Sequence, residues 1–323
     1  MRYMFRCGVF TIGVVLCLTC GPPGAFAAEF SPHKAEFTVQ VNNIVIPYKL
    51  MSVFVMPGEI LRLWVATSHE SDCVNLRAYD GQMIADSQNQ WHWRAPKLPG
   101  IYPLSLEKGK SADSMTLNVF VMRPSNHSKG EYLNGYRIGK YPQILLKNLP
   151  IYKPPPGFIE VTPQNSEVRV SPHFKLRQFL CKQENGYPQY LVLKERLLLK
   201  LELILAKVNE KGYRCDTLHI MSGYRTPYYN QTIGNVKYSR HLYGGAADIF
   251  IDENPPDAMM DDLNHDGKIN FKDAAILYDV VDEMYGKKFY ARLAGGLGRY
   301  RKTHAHGPFV HVDVRGFRAR WGD

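Results

Sequence analysis

Residues 239–252, SRHLYGGAADIFID, and residues 307–316, GPFVHVDVRG, decide how the C-terminal half of this 323-residue chain is read. In the first, six residues separate His241 from Asp248, and Gly244 and Gly245 among them let a loop fold back tightly. Asp248 stands in a run otherwise made of Ala, Ile and Phe, the pattern of a buried strand. A carboxylate there needs a cation, a metal or several hydrogen-bond donors, because burying it bare is costly. In the second stretch Phe309 to Val314 alternates, placing His311 and Asp313 on one strand face and the valines on the other. Imidazole and carboxylate suit zinc, and a catalytic zinc takes three protein ligands and leaves one position open. His241, Asp248 and His311 supply that set. For His241 and Asp248 alone, a structural hydrogen bond is the alternative.

Outward from these segments, residues 188–210 repeat Leu and Ile at helical spacing with Lys and Glu between them, which predicts a long amphipathic helix. LHIMSG (218–223), GAADIFID (245–252) and GPFVHVDVRG (307–316) read as strands, so the region from about 171 to 323 is α+β. Between the second and third lies a calcium-loop pattern. Asp262, Asn264, Asp266, Asn270 and Asp273 fall at positions 1, 3, 5, 9 and 12, Gly267 at 6 and Ile269 at 8, with the Lys268 carbonyl at 7. The helical AAILYDVVDEMYG follows. The pattern predicts structural Ca2+ in an insertion at about 255–285 that braces one wall of a cleft.

Residues 29–123 read as β. EFTVQVNN, YKLMSVFVM, ILRLWVAT and MTLNVFVM are rich in β-branched and aromatic residues, and Pro57-Gly58, Asp80-Gly81 and Pro99-Gly100 punctuate them. An immunoglobulin-like sandwich is expected, with Trp64, Trp91 and Trp93 in its core. Residues 124–170 read as a connector stiffened by Pro154-Pro155-Pro156.

Residues 1–28 have the form of a secretory signal peptide: Arg2 and Arg6, an apolar run from Cys7 to Cys20, then Ala25-Phe26-Ala27. No other stretch is apolar and long enough to span a bilayer. The expected location is the periplasm or the exterior. The chain is +10, and removing Arg2 and Arg6 leaves 38 basic against 30 acidic residues, or +8. That balance favours an anionic partner; for an exported protein a cell-wall polymer fits better than nucleic acid, for which no recognition motif is present. Cys73, Cys181 and Cys215 remain in the mature chain. This excludes a disulfide framework and leaves a Cys181–Cys215 bridge open.

SGYRTPYYN (222–230), SRHLYGGAADI (239–249) and FVHVDVRG (309–316), in that order, resemble the three signature segments of the zinc D-alanyl-D-alanine carboxypeptidase family. That family includes peptidoglycan endopeptidases and the vancomycin-resistance dipeptidases and shares its fold with the hedgehog signalling domain. SPHFKLRQFLC (171–181) is similar to the start of such a domain, and the likeness covers roughly 170–321. The resemblance implies zinc on His241, Asp248 and His311, and a monomer cleaving peptidoglycan peptides. It also implies a role for Arg225 in binding the substrate's carboxylate or carbonyl, where a guanidinium fork matches a carboxylate. Ser222 and Tyr224 are expected to shape the turn or contact substrate. Several members carry an acidic base three residues before the last histidine; here that residue is Pro308. Asp313 is the expected substitute, with a role in orienting a ligand as its alternative. His306 and His304 in RKTHAHG are further proton-transfer candidates. The calcium segment resembles a dockerin-type loop. A non-catalytic module of the same fold, holding zinc structurally and binding cell-wall peptide or a protein partner, is the competing expectation.

Overall fold

The computed structural model describes residues 30–67, 72–109 and 113–322. The expected signal peptide lies outside the described residues.

The N-terminal half forms two sheets. One has the strand order Ile44–Tyr48, Lys34–Val41, Ile60–Ala66, Gln90–Arg94, Gln82–Ser87. The other runs Leu50–Val55, Ser114–Val121, Gly100–Lys108, Val74–Ala78. The chain passes from one sheet to the other at Lys49, whose ammonium is 2.9 Å from the Asp113 carboxylate. Leu50–Val55 then pairs parallel to Ser114–Val121. Strict alternation in Ile60–Ala66 buries Leu61, Leu63 and Val65 and turns Arg62 and Trp64 outward. Trp91 and Trp93 are in the core as expected, but Trp64 is 48% exposed and is not.

The helix Glu195–Glu210 begins later than its apolar spacing suggests, because Gln189–Leu191 is taken as a strand against Gly157–Val161. Leu197, Leu198, Leu201, Ile204, Leu205 and Val208 form its buried stripe. Glu195 in its first turn accepts a hydrogen bond from the Phe54 backbone (3.0 Å), joining the helix to the β half. The connector is no free spacer. Tyr141 donates to the Leu242 carbonyl (3.0 Å) and meets the Tyr224 hydroxyl at 2.9 Å, and the Ile151 carbonyl accepts from Arg240 (2.7 Å).

A second five-stranded sheet carries the C-terminal half, in the order His219–Ser222, Ala246–Phe250, Phe309–Asp313, Gly296–Tyr300, Ala319–Trp321. Its first four strands pair antiparallel and the last is parallel to its neighbour. The helix Phe271–Asp282 packs against the strands Gly296–Tyr300 and Phe309–Asp313. No described helix is long and apolar enough to cross a membrane. Cys181 and Cys215 are both buried free thiols, so the open bridge is not formed.

Lys200 is the one lysine fully buried in the Glu195–Glu210 helix, and its ammonium donates to the Asp313 carbonyl at 2.7 Å, above the Tyr290 ring. Burial lowers it to about 7, partly opposed by Asp313. Between that value and its ordinary 10.5, the unfolded chain holds the extra proton, so stability rises with pH across the window. Lys200→Met is expected to flatten this rise. Urea unfolding at pH 7 and pH 9 measures it, and an unchanged pH slope would refute the assignment.

Candidate metal centre

One rung across the C-terminal sheet sets the site. Ser222 stands opposite Asp248, Asp248 opposite His311, His311 opposite Gly298, and Gly298 beside Trp321. Directly paired residues project from the same face, so three polar side chains meet there without any loop rearrangement. Gly298 is required for space: a Cβ there would lie 2.2 Å from the Trp321 indole nitrogen. The indole thus covers the rung, its ring 5.2 Å from that of His311.

His241 comes from outside the sheet, on the 3₁₀ turn Arg240–Tyr243. That turn closes at Gly244, where φ is +63° and a Cβ would meet the Val192 carbonyl oxygen at 2.3 Å. Gly244 therefore answers both a conformational and a steric demand. His241 Nδ1 donates to the Gly223 carbonyl at 2.6 Å, which leaves Nε2 with its lone pair facing the site. That nitrogen is 3.3 Å from Asp248 Oδ1 and 3.2 Å from His311 Nδ1, and His311 Nδ1 is 2.8 Å from the same carboxylate oxygen.

His241, Asp248 and His311 are all buried, and their ligand atoms lie within 4.8 Å of one another, the one such group among the described residues. The donor set, two imidazoles and a carboxylate, fits zinc. Its second contacts fit too, since each ring's far nitrogen points at a fixed acceptor: His241 at Gly223, and His311 Nε2 at Asp313 Oδ2, 3.4 Å away. The three side chains also form an ion cluster. Burial pushes Asp248 up, but His241 and His311 outweigh it and hold the carboxyl well below its ordinary range. Burial lowers His241, and Asp248 only partly offsets it. His311 is also pushed down by burial, yet its bonds to Asp248 and Asp313 leave it raised.

Asp313 shares the strand face with His311 as expected, but it is fully buried and saturated. It accepts from the backbones of Gly296 and Arg315 (both 2.9 Å) and from the Arg315 guanidinium. Burial raises its carboxyl, and His311 and Arg315 together hold it far below the ordinary range. A carboxylate so occupied is a poor proton acceptor, so the geometry favours its alternative role, orienting His311. Arg225 is likewise occupied: its guanidinium bonds Asp248 Oδ2 and the Ser222 hydroxyl (2.5 and 2.8 Å). Tyr224 does not line the cleft. The strand ends at Ser222, and Tyr224 turns inward to Tyr141, 2% exposed.

The site opens into a cleft of about 1040 Å³. Ser222, Arg225 and His306 line it, while His304 is exposed outside that lining. His306 stands edge-on to Phe309, with its Nδ1 2.8 Å from the Gly307 carbonyl. Lys182, Tyr300 and Trp321 also line it and carried no local signal in the sequence.

At the calcium pattern, much of the ligand oxygen bonds within the loop. Asp262 accepts from Gly267 N (2.7 Å) and Asp266 N (3.2 Å), and Asp266 is 3.2 Å from the Lys272 ammonium. Asn270 and Asp273 form a capping box for the following helix, and Asp273 is fully buried, accepting from Leu263 N (2.9 Å).

Compared with known proteins, residues 172–271 match a family described as Peptidase M15, a stretch that holds Arg225, His241 and Asp248 and ends before His311. This supports an M15 peptidase-like family for that region. The chain has no match among curated proteins. Among solved structures, a DUF4784 family protein from Bacteroides caccae aligns at 13% identity over 28% of this chain and 24% of its own, with a TM-score of 0.16. The chain thus spans about a quarter of that protein, a likeness too slight to carry fold or function.

His311→Ala or Asp248→Ala is expected to abolish stoichiometric zinc in the purified protein, read by elemental analysis. Asp313→Asn is expected to keep zinc but weaken it by about 10- to 100-fold, read by chelator competition. Undiminished affinity would remove the orienting role from Asp313.

Proposed function

We propose that this chain is an exported zinc metallopeptidase that cleaves peptidoglycan stem peptides or cross-links. The observation that carries the reading is the buried His241–Asp248–His311 group at the base of the cleft, with both imidazoles already oriented through their far nitrogens. The Peptidase M15 match over residues 172–271 points the same way. Zinc bound there would supply Lewis acidity, making water nucleophilic near neutral pH and polarising a carbonyl.

The remaining work falls to this chain's side chains. Asp313 fixes the His311 ring, and Arg225 with Ser222 fixes Asp248. Trp321 closes the site on one side and excludes water there. His306 is the one cleft-lining histidine besides the two ligands. It is only partly buried, which suits a group that takes a proton from water and returns it to the leaving amine. The buried Pro308, where relatives are expected to carry an acid, keeps one competing reading open: a peptide-binding module that holds zinc without hydrolysis.

Digests of muropeptides analysed by mass spectrometry separate the two. The enzyme reading expects cleavage that chelation abolishes and zinc restores. His306→Ala is expected to lower kcat by at least about 100-fold at unchanged zinc content. Tight zinc binding with no cleavage of any muropeptide would leave the binding module. The size of the released fragment distinguishes carboxypeptidase from endopeptidase.

Two further assignments belong with this reading. The N-terminal sheets are proposed to form an immunoglobulin-like sandwich that docks to wall or protein. The Asp262–Asp273 loop is proposed to hold structural Ca2+, whose attraction would replace the present Asp266–Lys272 pairing. Calcium is expected to raise the melting temperature of the wild type and not of Asp262→Ala; an equal response in both proteins would exclude the loop.

A further inference from the structure

A groove of about 820 Å³ lies where the N-terminal sheets meet the helices of the C-terminal half, and it shares no lining residue with the metal cleft. Three elements wall it. The helix Glu195–Glu210 contributes Arg196, Leu199, Leu203, Ala206 and Glu210. Steps of three and four residues keep these on one helix face, a stripe about 21 Å long at 1.5 Å per residue. The second wall is the strand Ile44–Tyr48, the outer strand of its sheet, whose strand partner among the described residues is Lys34–Val41 alone. Ile44, Val45, Pro47 and Tyr48 all line the groove. Successive strand residues point to opposite faces, so a groove that meets both sets runs along the unpaired edge. Met284, Phe289 and Leu293 form the third wall, with Phe289 61% exposed.

The charge around the groove is one-sided. Its two carboxylates are already paired, Glu210 with Lys207 and Glu283 with Lys211, each at 2.6 Å. Lys34, Arg196, Lys287 and Arg292 line the same groove and have no ion-pair partner among the described residues. An open strand edge offers backbone N–H and C=O groups, an apolar floor takes apolar side chains, and a cationic rim takes acidic ones. One kind of occupant meets all three demands: an extended peptide, of which about six residues at 3.3 Å each match the length of the helix stripe. An acyl chain would fill the floor but leave the edge unpaired. Pro47 contributes no N–H and keeps the ladder short, so the floor and the rim must supply affinity as well.

We propose that this groove docks an extended segment of a partner protein, rich in apolar and acidic residues, which adds a strand to Ile44–Tyr48. The proposal deepens the docking role proposed above for the N-terminal sheets and rests on that reading for the existence of a partner. It depends neither on the metal nor on hydrolysis.

The probe is a displayed library of random nonapeptides, selected on the full chain and, in parallel, on Ala206→Trp, whose indole fills the groove floor. Sequences recovered on the wild type alone are expected to combine apolar and acidic residues. The commonest of them, made as a synthetic peptide, is expected to bind the wild type at least about tenfold more tightly than Ala206→Trp, read by fluorescence anisotropy. The same loss is expected for Arg196→Glu combined with Lys287→Glu, which leaves the floor unaltered and serves if Ala206→Trp fails to fold. Methylating alternate backbone nitrogens of the peptide is expected to abolish binding in one parity, the one facing the edge, and to spare it in the other. A basic consensus, or binding indifferent to methylation in both parities, overturns the proposal. Phosphatidylglycerol vesicles that bind the wild type and not Ala206→Trp would give the groove to lipid and overturn it too. Sequences enriched equally on both proteins would remove the groove and leave docking through another surface of the sheets. No enriched sequence on either protein would remove the docking reading with it.

Discussion

The carboxylate of Asp248 is the constraint around which the C-terminal half is arranged. It sits in a strand of Ala, Ile and Phe with 3% of its surface exposed, where an unpaired charge could not persist. Two imidazoles and a guanidinium converge on its two oxygens, each delivered by a different element: a sheet neighbour, a 3₁₀ turn and the loop after Ser222. The three share this one anion; burial disfavours the charged form of His241, while at His311 Asp248 and Asp313 outweigh burial and favour it. A divalent metal bound there would replace protons with a shared positive centre.

Behind the rung, a second layer repeats the logic with opposite purpose. Asp313 is buried as deeply as Asp248, but its partners are backbone N–H groups, Arg315 and the ring of His311. Full occupation makes it rigid and nonbasic. Lys200 reaches from the long helix to the Asp313 carbonyl, and the helix Phe271–Asp282 packs on the strands Gly296–Tyr300 and Phe309–Asp313, so the strand that carries His311 is held by both helices. The cleft side is more accessible, with His306 on a partly exposed loop. Under the proposed peptidase reading, the buried His241, Asp248 and His311 would hold the metal and the more accessible His306 would carry protons.

How much of this was legible in the chain depends on the range of the interaction. Alternation in FVHVDV located His311 and Asp313 correctly on one face, yet Arg315, two residues on, was the local sign that Asp313 would be neutralised. Arg62, which shares a parity with Trp64, likewise signalled that Trp64 faces water. Of the two roles expected of Tyr224, burial against Tyr141 favours shaping the turn, because the strand ends at Ser222 and the chain turns before the next same-face position. The amphipathic spacing of 188–210 ran past the true helix start because Gln189–Leu191 finds a strand partner, Gly157–Val161, some thirty residues earlier in the chain.

The residue types themselves, therefore, determined the chemistry: two histidines and an aspartate in apolar or glycine-flanked settings, ordered along three segments, and an amphipathic helix to support them. Local pattern carries that information because burial and backbone conformation are read within a few residues. Only the tertiary structure decided which charges are free. Arg225 looks available in the sequence and is taken up by Asp248 from another segment, and Asp313, paired locally with Arg315, is filled further by the Gly296 backbone across the sheet. Electrostatic pairing depends on distances between segments far apart in the chain, and no local pattern records them.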